Sequence, residues 1–307
     1  MAHIPVLLDE VLAMVKAMPG DPRYILDGTF GRGGHARAIM NEFAEAKYVA
    51  IDQDLDAVNF AKDNFSNEIA GGRFYILHAN FSDTASVSAA LTEIVGEQGF
   101  DLILLDLGVS SPQLDQSERG FSFYNDGPLD MRMNQNASLS AAEVVNSWSE
   151  QELRDLFFEL GEIRRPGRVV TAILQQRKNQ PFSTTQQLSS LIEKTEGWRK
   201  KGHHPATNYF LALRLCVNSE LEAVRAALPE LIKMLADGGR LMVISFHSLE
   251  DRIVKYALRD AKASGLGVLV NKKVIIPSRE EQKSNPRSRS AKLRVFERRQ
   301  TKEGVHG

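Results

Sequence analysis

The sequence predicts an α/β fold, a doubly wound parallel sheet with a helical domain inserted after its fourth strand. Three observations carry that reading. Short apolar runs alternate with amphipathic segments up to residue 107; three of those runs end in an aspartate, at Asp27, Asp52 and Asp106; and the alternation lapses from 112 to 206 before it resumes. Strand–helix–strand repeats of this kind return by right-handed crossovers and build a parallel sheet.

Taken in order, the first helix is expected over 6–18, ended by Pro19-Gly20. A strand over 24–27 runs into a glycine-rich turn and a helix over 34–43. A strand over 47–52 precedes a helix over 54–65, and a strand over 73–78 precedes a helix over 83–97. The fourth strand, 100–107, drives Leu102-Ile103-Leu104-Leu105 straight into Asp106 and a small polar turn, as a buried parallel strand does at an active-site mouth. Residues 112–136 are polar and loop-like. Trp148, Leu153, Leu156, Phe157 and Leu160 then recur at helical spacing, and 169–176 and 186–193 also read as helices. A long helical region over 207–236, a turn at Asp237-Gly238-Gly239, a strand over 240–246 and a helix over 249–261 restore the alternation. Val274-Ile275-Ile276 and Leu293-Arg294-Val295-Phe296 read as a closing pair of strands around a basic loop. The expected domains are a discontinuous core, 1–111 with 207–307, and a helical insertion, 112–206, serving substrate recognition.

With 307 residues, 43% of them hydrophobic, the chain can bury a full core. A net charge of −1 removes any global electrostatic case for a polyanion, yet the charge is unevenly placed. Residues 162–201 carry +6 and 279–299 carry +5, leaving −12 for the rest, so a positive surface beside an acidic one is expected. A single cysteine, Cys216, excludes an internal disulfide and a CxxC metal site and fits a reducing cytoplasm. It lies in an apolar helical stretch, where core packing is its expected role. The N-terminus has no basic-then-apolar signal, and no apolar run approaches the roughly 20 residues that span a bilayer, so no membrane role is expected. His203-His204 and His247 lack metal-ligand spacing, and no catalytic metal is expected.

Gly31-Arg32-Gly33-Gly34-His35-Ala36 satisfies the dinucleotide pattern G-x-G-x-x-G/A, with Asp52 about twenty residues on to take ribose hydroxyls. Alone that match is weak. Asp27 separates the candidate cofactors, because a carboxylate beside the glycine turn repels a pyrophosphate and attracts an α-amino group. S-adenosylmethionine carries adenine and ribose without phosphate, plus an ammonium and a sulfonium, and suits an acid-rimmed turn. Gly33 and Gly34 allow close backbone approach, and the next helix offers free amides to the donor's carboxylate. Phe81 either lies against adenine or belongs to the core; His35 either serves the site or only starts a helix. An NAD-linked oxidoreductase is the rival, disfavoured by Asp27 and by the want of an evident hydride-transfer acid.

Longer motifs are more specific. Residues 28–35, Asp106-Leu107-Gly108-Val109-Ser110-Ser111-Pro112-Gln113-Leu114-Asp115, Glu118-Arg119-Gly120-Phe121-Ser122 and Asp126-Gly127-Pro128-Leu129-Asp130-Met131-Arg132-Met133 occur in this order. Ser245-Phe246-His247-Ser248-Leu249-Glu250-Asp251-Arg252 and Asn285-Pro286-Arg287-Ser288-Arg289-Ser290 follow. Together they resemble the bacterial family of ribosomal RNA small-subunit methyltransferase H, or MraW. The resemblance runs from the first helix to the last strand. It implies a Rossmann-like methyltransferase sheet and methyl transfer from S-adenosylmethionine to N4 of a P-site cytidine in the decoding centre of 16S rRNA. It also implies donor contacts at Gly33, Gly34, His35, Asp52, Phe81, Asp106 and Gln113, all present here. The partner implied is 16S rRNA within the small ribosomal subunit, with no DNA; the oligomeric state, a homodimer included, stays open. The chain departs from the family at Pro166-Gly167, where a continuous helix should break, and at Asn208, where a basic residue is common.

For transfer to cytosine N4, whose lone pair is delocalised, orientation is the main task and an acceptor for the amino proton the second. Asp106 is the candidate acceptor, with Ser110 and Ser111 as neighbours; binding the donor alone is its other reading. Cys216 lacks the setting for C5 methylation through a covalent adduct. His247, Glu250 and Asp251 either shape the base pocket or belong to a helix start capped by Ser248. The insertion and 286–299 are the expected RNA-holding surfaces. A non-enzymatic RNA-binding factor with a degenerate pocket is disfavoured by the intact acids. Methylation of DNA amino groups calls for Asp/Asn/Ser-Pro-Pro-Tyr/Phe, and Asp106-Leu107-Gly108-Val109 stands instead.

Overall fold

The computed structural model describes residues 5–197 and 204–299. Arg199, Lys200 and Lys201 of the basic stretch, and His203, lie outside the described residues. In chain order the elements begin with α1 (Leu8–Lys16), β1 (Tyr24–Asp27), α2 (Gly34–Glu42), β2 (Lys47–Asp52), α3 (Leu55–Asn64), α4 (Ser66–Ala70), β3 (Phe74–His78), α5 (Thr84–Val95) and β4 (Phe100–Asp106). Then come α6 (Ser111–Asp115), α7 (Ala141–Ser147), α8 (Glu150–Glu159), α9 (Gly167–Asn179), α10 (Thr185–Glu196) and α11 (Thr207–Val217). The chain closes with α12 (Glu220–Met234), β5 (Leu235–Ser245), α13 (Ser248–Ala263), β6 (Gly267–Leu269), α14 (Arg279–Ser284) and β7 (Lys292–Arg298). No helix among the described residues is long and apolar enough to cross a membrane.

Two compact units result, one running to Gly108 and resuming at Leu221, the other Val109–Glu220. The first holds a seven-stranded sheet in the order β3-β2-β1-β4-β5-β7-β6. β1 to β5 are parallel, whereas β7 runs antiparallel to both of its neighbours. Alternation along β4 shows how the sheet is held. Leu102 and Leu104 enter one apolar layer with Ile25, Tyr48 and the helices α1 and α2; Ile103 and Leu105 enter the other with Leu26, Val49 and α12. All four β4 side chains are fully buried, each contributing about 1.5–3 kcal/mol. Arg240 ties β5 to the rest: it meets Glu297 of β7 at 2.9 Å and donates to the Met14 and Ala17 carbonyls at the end of α1.

Three expectations change. The closing strand pair is β7 with β6, and the 274–276 run supplies only an isolated bridge, Ile275 to Leu293. The turn at Asp237-Gly238-Gly239 survives as an irregularity within β5, where pairing steps from Phe100–Leu235 to Leu102–Arg240 and Gly238 has φ +78°. The helical region 207–236 is two helices, parted at Ser219, whose φ is +48°. α11 therefore packs in the second unit, with Tyr209, Phe210, Ala212 and Leu213 buried among Leu153, Phe157 and Ile173, so that unit ends at Glu220 rather than at 206. Periodicity could not reveal this, because α11 and α12 are both amphipathic.

The described residues of the second unit form helices and loops, with one isolated bridge, Pro128 to Thr184. The polar stretch 112–136 contains the short α6, and α7 precedes the helices that the apolar spacing predicts. Pro166 separates α8 from α9, as its missing N–H dictates, and Glu162 takes a left-handed conformation in the connecting loop, φ +51°. Asn208 donates to the Gly161 carbonyl at 3.0 Å, which fastens this loop to α11. Cys216 packs at the edge of the helical core.

Candidate active site

The winding of the sheet reverses between β1 and β4, the chain running outward to β3 on one side and to β5 on the other. Such a reversal opens a crevice at the carboxyl ends of the strands. Asp27, Asp52 and Asp106 are the last residues of β1, β2 and β4, so all three acids gather at that crevice.

The glycine turn is laid across these strand ends by backbone bonds. Gly28 N–H donates to the Leu104 carbonyl (3.0 Å), Phe30 N–H to that of Ile51 (3.1 Å), and Asp106 N–H to Thr29 Oγ1 (2.6 Å). Gly33 has φ +65°, and a Cβ there would stand 2.6 Å from the Phe30 ring; one at Gly34 would stand 2.4 Å from Pro5 Cγ. No larger residue fits either place. Gly33 is also the N-cap of α2 and supplies no side-chain acceptor, so the first-turn amides remain available to a carboxylate.

Each acid has its own setting. Asp27 is enclosed: Oδ1 accepts from Thr29 N–H at 3.0 Å, Oδ2 from the Tyr48 hydroxyl at 2.8 Å, and burial raises its pKa to about 6. In this setting Asp27 buttresses the turn. Asp52 is half-buried beside the turn, accepting from Gly31 N–H at 2.8 Å and Asp54 N–H at 2.9 Å; burial raises it, too, to about 6. Asp106 is the most perturbed. Burial, then the charges of Asp27 and Glu250, push it up to about 8, and its Oδ1 is buried with no hydrogen-bond partner. Its Oδ2 lies 3.8 Å from Nδ1 of His35, whose Nε2 is 3.0 Å from the Val6 carbonyl. A carbonyl only accepts, so Nε2 carries the hydrogen and Nδ1 turns to the carboxylate.

Of the two readings expected of Phe81, the core one is met. It packs against the core layer of Leu26 and Leu105, and its Cβ would lie 3.1 Å from a Cβ at Gly28. Gln113 belongs to the second unit, where it is buried and its Oε1 accepts from Ser110 N–H at 2.9 Å.

At the end of β5, His247 rather than Ser248 caps α13, because Ser248 is already helical while His247 is extended and its Nδ1 accepts from Glu250 N–H. Glu250 closes the cap by accepting from Phe246 N–H at 2.8 Å, and is itself 1% exposed. Asp251 points to the sheet instead, paired with Arg294 at 2.7 Å and Lys292 at 3.2 Å; against the effect of burial these cations hold its carboxyl below the usual range. Residues that sequence reasoning passed over are Thr29, which clamps β1 to β4, and Tyr48, which holds Asp27. Thr29 stands inside the 28–35 motif and Tyr48 in a strand, but both act across strands, which a linear motif does not reveal. A cavity of ≈ 370 Å³ beside Phe100, Lys233 and Arg298 opens at the opposite end of β4, away from the acids; there Arg298 closes the end of α12 by donating to the Lys233 and Leu235 carbonyls.

A family model described as the MraW methylase family matches residues 1–299. The chain belongs to this family. Three ribosomal RNA small subunit methyltransferases H are among its relatives. The one from Bdellovibrio bacteriovorus is 54% identical over 297 residues, 96% of this chain and 88% of the relative. That from Rippkaea orientalis is 47% identical, covering 96% and 92%, and that from a Cyanothece species 46% identical, covering 98% and 96%. Membership makes the chain a methyltransferase, with S-adenosylmethionine as donor. The orphaned Asp106 Oδ1, the open amides of α2 and the phosphate-averse acids around the turn fit that cationic group.

Proposed function

We propose that this methyltransferase modifies N4 of the P-site cytidine in the decoding centre of 16S rRNA, acting on the small ribosomal subunit. The observation that carries the reading is the buried, unpartnered Oδ1 of Asp106 at the switch point of the sheet, in a chain whose relatives act, by name, on small-subunit rRNA.

The donor supplies an electrophilic methyl on a sulfonium. Gly33 and Gly34 admit its backbone-like end to the first turn of α2, Asp52 takes the ribose hydroxyls and Phe81 backs the adenine. Asp106 does the remaining work. With a cation beside it, its carboxyl ionises, because the attraction offsets the burial that keeps it protonated when alone. The carboxylate then accepts a hydrogen bond from the cytosine amino group, which localises the nitrogen lone pair. As the N–C bond forms and the S–C bond breaks, the positive charge moves to N4 and its proton passes to Asp106. Orientation of N4 in line with the methyl supplies the larger part of the acceleration, up to roughly 7–11 kcal/mol in ideal cases. The target base must first leave its stack, at a cost of a few kcal/mol; the helical unit and, separately, residues 286–299 each offer a surface for RNA.

Labelled S-adenosylmethionine offered with unmodified small subunits, naked 16S rRNA and DNA tests this directly. Mass spectrometry of the nucleosides is expected to show N4-methylcytidine from the rRNA. Label confined to DNA, or to a base other than cytosine, overturns the reading.

A further inference from the structure

The helical unit carries an aromatic group that its core does not consume. Tyr124 is 76% exposed, yet its ring is held in place. It lies 4.6 Å from the Phe123 ring and edge-on to His204 at 5.8 Å, while Phe123 and His204 are stacked at 4.7 Å. Phe123 is anchored beneath by Phe210 of α11. The backbone is fixed as well, since Ser122 Oγ accepts from the Tyr124 and Asn125 N–H groups. His204 cannot turn away, because its Nδ1 accepts from Ala206 N–H.

A second feature meets the first at the start of α11. His204 accepts from Thr207, and the next residue, Asn208, holds the 161–166 loop through Gly161. That loop and the first turn of α9 present Arg164, Arg165 and Arg168, all exposed and none in an ion pair with a described residue. α9 has no acid in its first turn, so these cations lie against the positive end of its dipole. This arrangement is unfavourable for the free protein and becomes favourable when an anion arrives. A rigid exposed ring and unpaired guanidiniums, both tied to the start of α11, are the chemistry that holds unpaired nucleic acid: the ring stacks a base, the cations follow the phosphates.

We propose that Tyr124, braced by Phe123 and His204, stacks an unpaired base of the RNA substrate while Arg164, Arg165 and Arg168 take the adjoining phosphates. The proposal rests on the rRNA reading above and names the part of the helical unit that grips the strand.

The test uses the full chain and a fluorescein-labelled single-stranded oligoribonucleotide of about 12 nucleotides, within the span such surfaces cover. Tyr124→Ala is expected to weaken binding on the order of 10-fold, with Tyr124→Phe retaining it, since stacking needs the ring and not the hydroxyl. Replacing the three arginines with alanine is expected to lower the slope of log affinity against log salt by about 2, at roughly 0.7 per phosphate contact on a single strand. Donor affinity, measured by calorimetry, and the melting temperature are expected to stay at wild-type values. Equal loss in Tyr124→Ala and Tyr124→Phe, or an unchanged salt slope, overturns the assignment. So does wild-type RNA affinity in Tyr124→Ala accompanied by failure to bind intact small subunits, which would mark a protein-docking face. Should the wild-type chain methylate rRNA while these variants bind RNA normally, only this inference falls; absence of rRNA methylation by the wild type removes the functional reading instead.

Discussion

Nδ1 of His35 stands 3.8 Å from Oδ2 of Asp106, with the other ring nitrogen committed to the Val6 carbonyl. The imidazole thus faces a carboxyl that burial and two neighbouring acids have raised to about 8. Near neutral pH, one proton has to be given up from this place before Asp106 can meet a cation. Donor affinity should therefore climb with pH and level off above about 8, by up to about tenfold per unit for one released proton. Titration calorimetry between pH 6 and 9 measures it; a flat profile would remove Asp106 from the donor's charge. Asp106→Asn should bind weakly and lose the dependence.

The same acids make an opposite prediction for stability without ligand. Asp27 and Asp52 at about 6 and Asp106 at about 8 lie above the ordinary carboxylate value of 3.8. The stability they lend is complete below that value and is lost as pH rises through 6 and then 8. Asp106→Asn should raise the melting temperature at pH 8.5 by on the order of 5 °C, at about 2–4 °C per kcal/mol in a chain of this size. No gain, or a loss, would show that the charge is relieved by other means.

Asp52 is bonded to Gly31, so it both shapes the turn and meets the ribose. Asp52→Ala is expected to raise the donor dissociation constant at least tenfold, about 1.4 kcal/mol. Calorimetry returning the wild-type constant would remove the ribose role.

The Arg240–Glu297 pair is buried on both sides, 7% and 10% exposed. Glu297→Ala leaves that guanidinium without its anion and should cost about 3–5 kcal/mol in chemical denaturation. A smaller loss would mean that the Met14 and Ala17 carbonyls suffice for Arg240.

Arg287 and Arg289 lie exposed on the turn before β7, within the basic stretch. Replacing both with alanine should weaken RNA binding and flatten its salt dependence while leaving donor binding intact. An unchanged salt slope would take this segment out of the RNA surface.

Much of this protein was legible in one dimension. β1, β2 and the acids that end them follow from apolar runs that strike a carboxylate and then a glycine turn, and the helix break at Pro166 follows from a missing N–H. These are local effects, in which a residue's own chemistry or its nearest neighbours decide the outcome. What depended on contacts between distant segments was not legible. Residues 267–269 rather than 274–276 pair with β7 because the preceding helix α13 delivers them to its edge, and both runs are apolar enough to serve. α11 joined the helical unit because its apolar face found partners there, a choice its periodicity leaves open. The sequence by itself determined that three acids would stand at strand ends around a glycine turn. Only the tertiary structure decided that Asp27 would be satisfied by Tyr48 while Asp106 was left with an unpartnered oxygen, because strand order, not sequence distance, sets which groups share the same dry space.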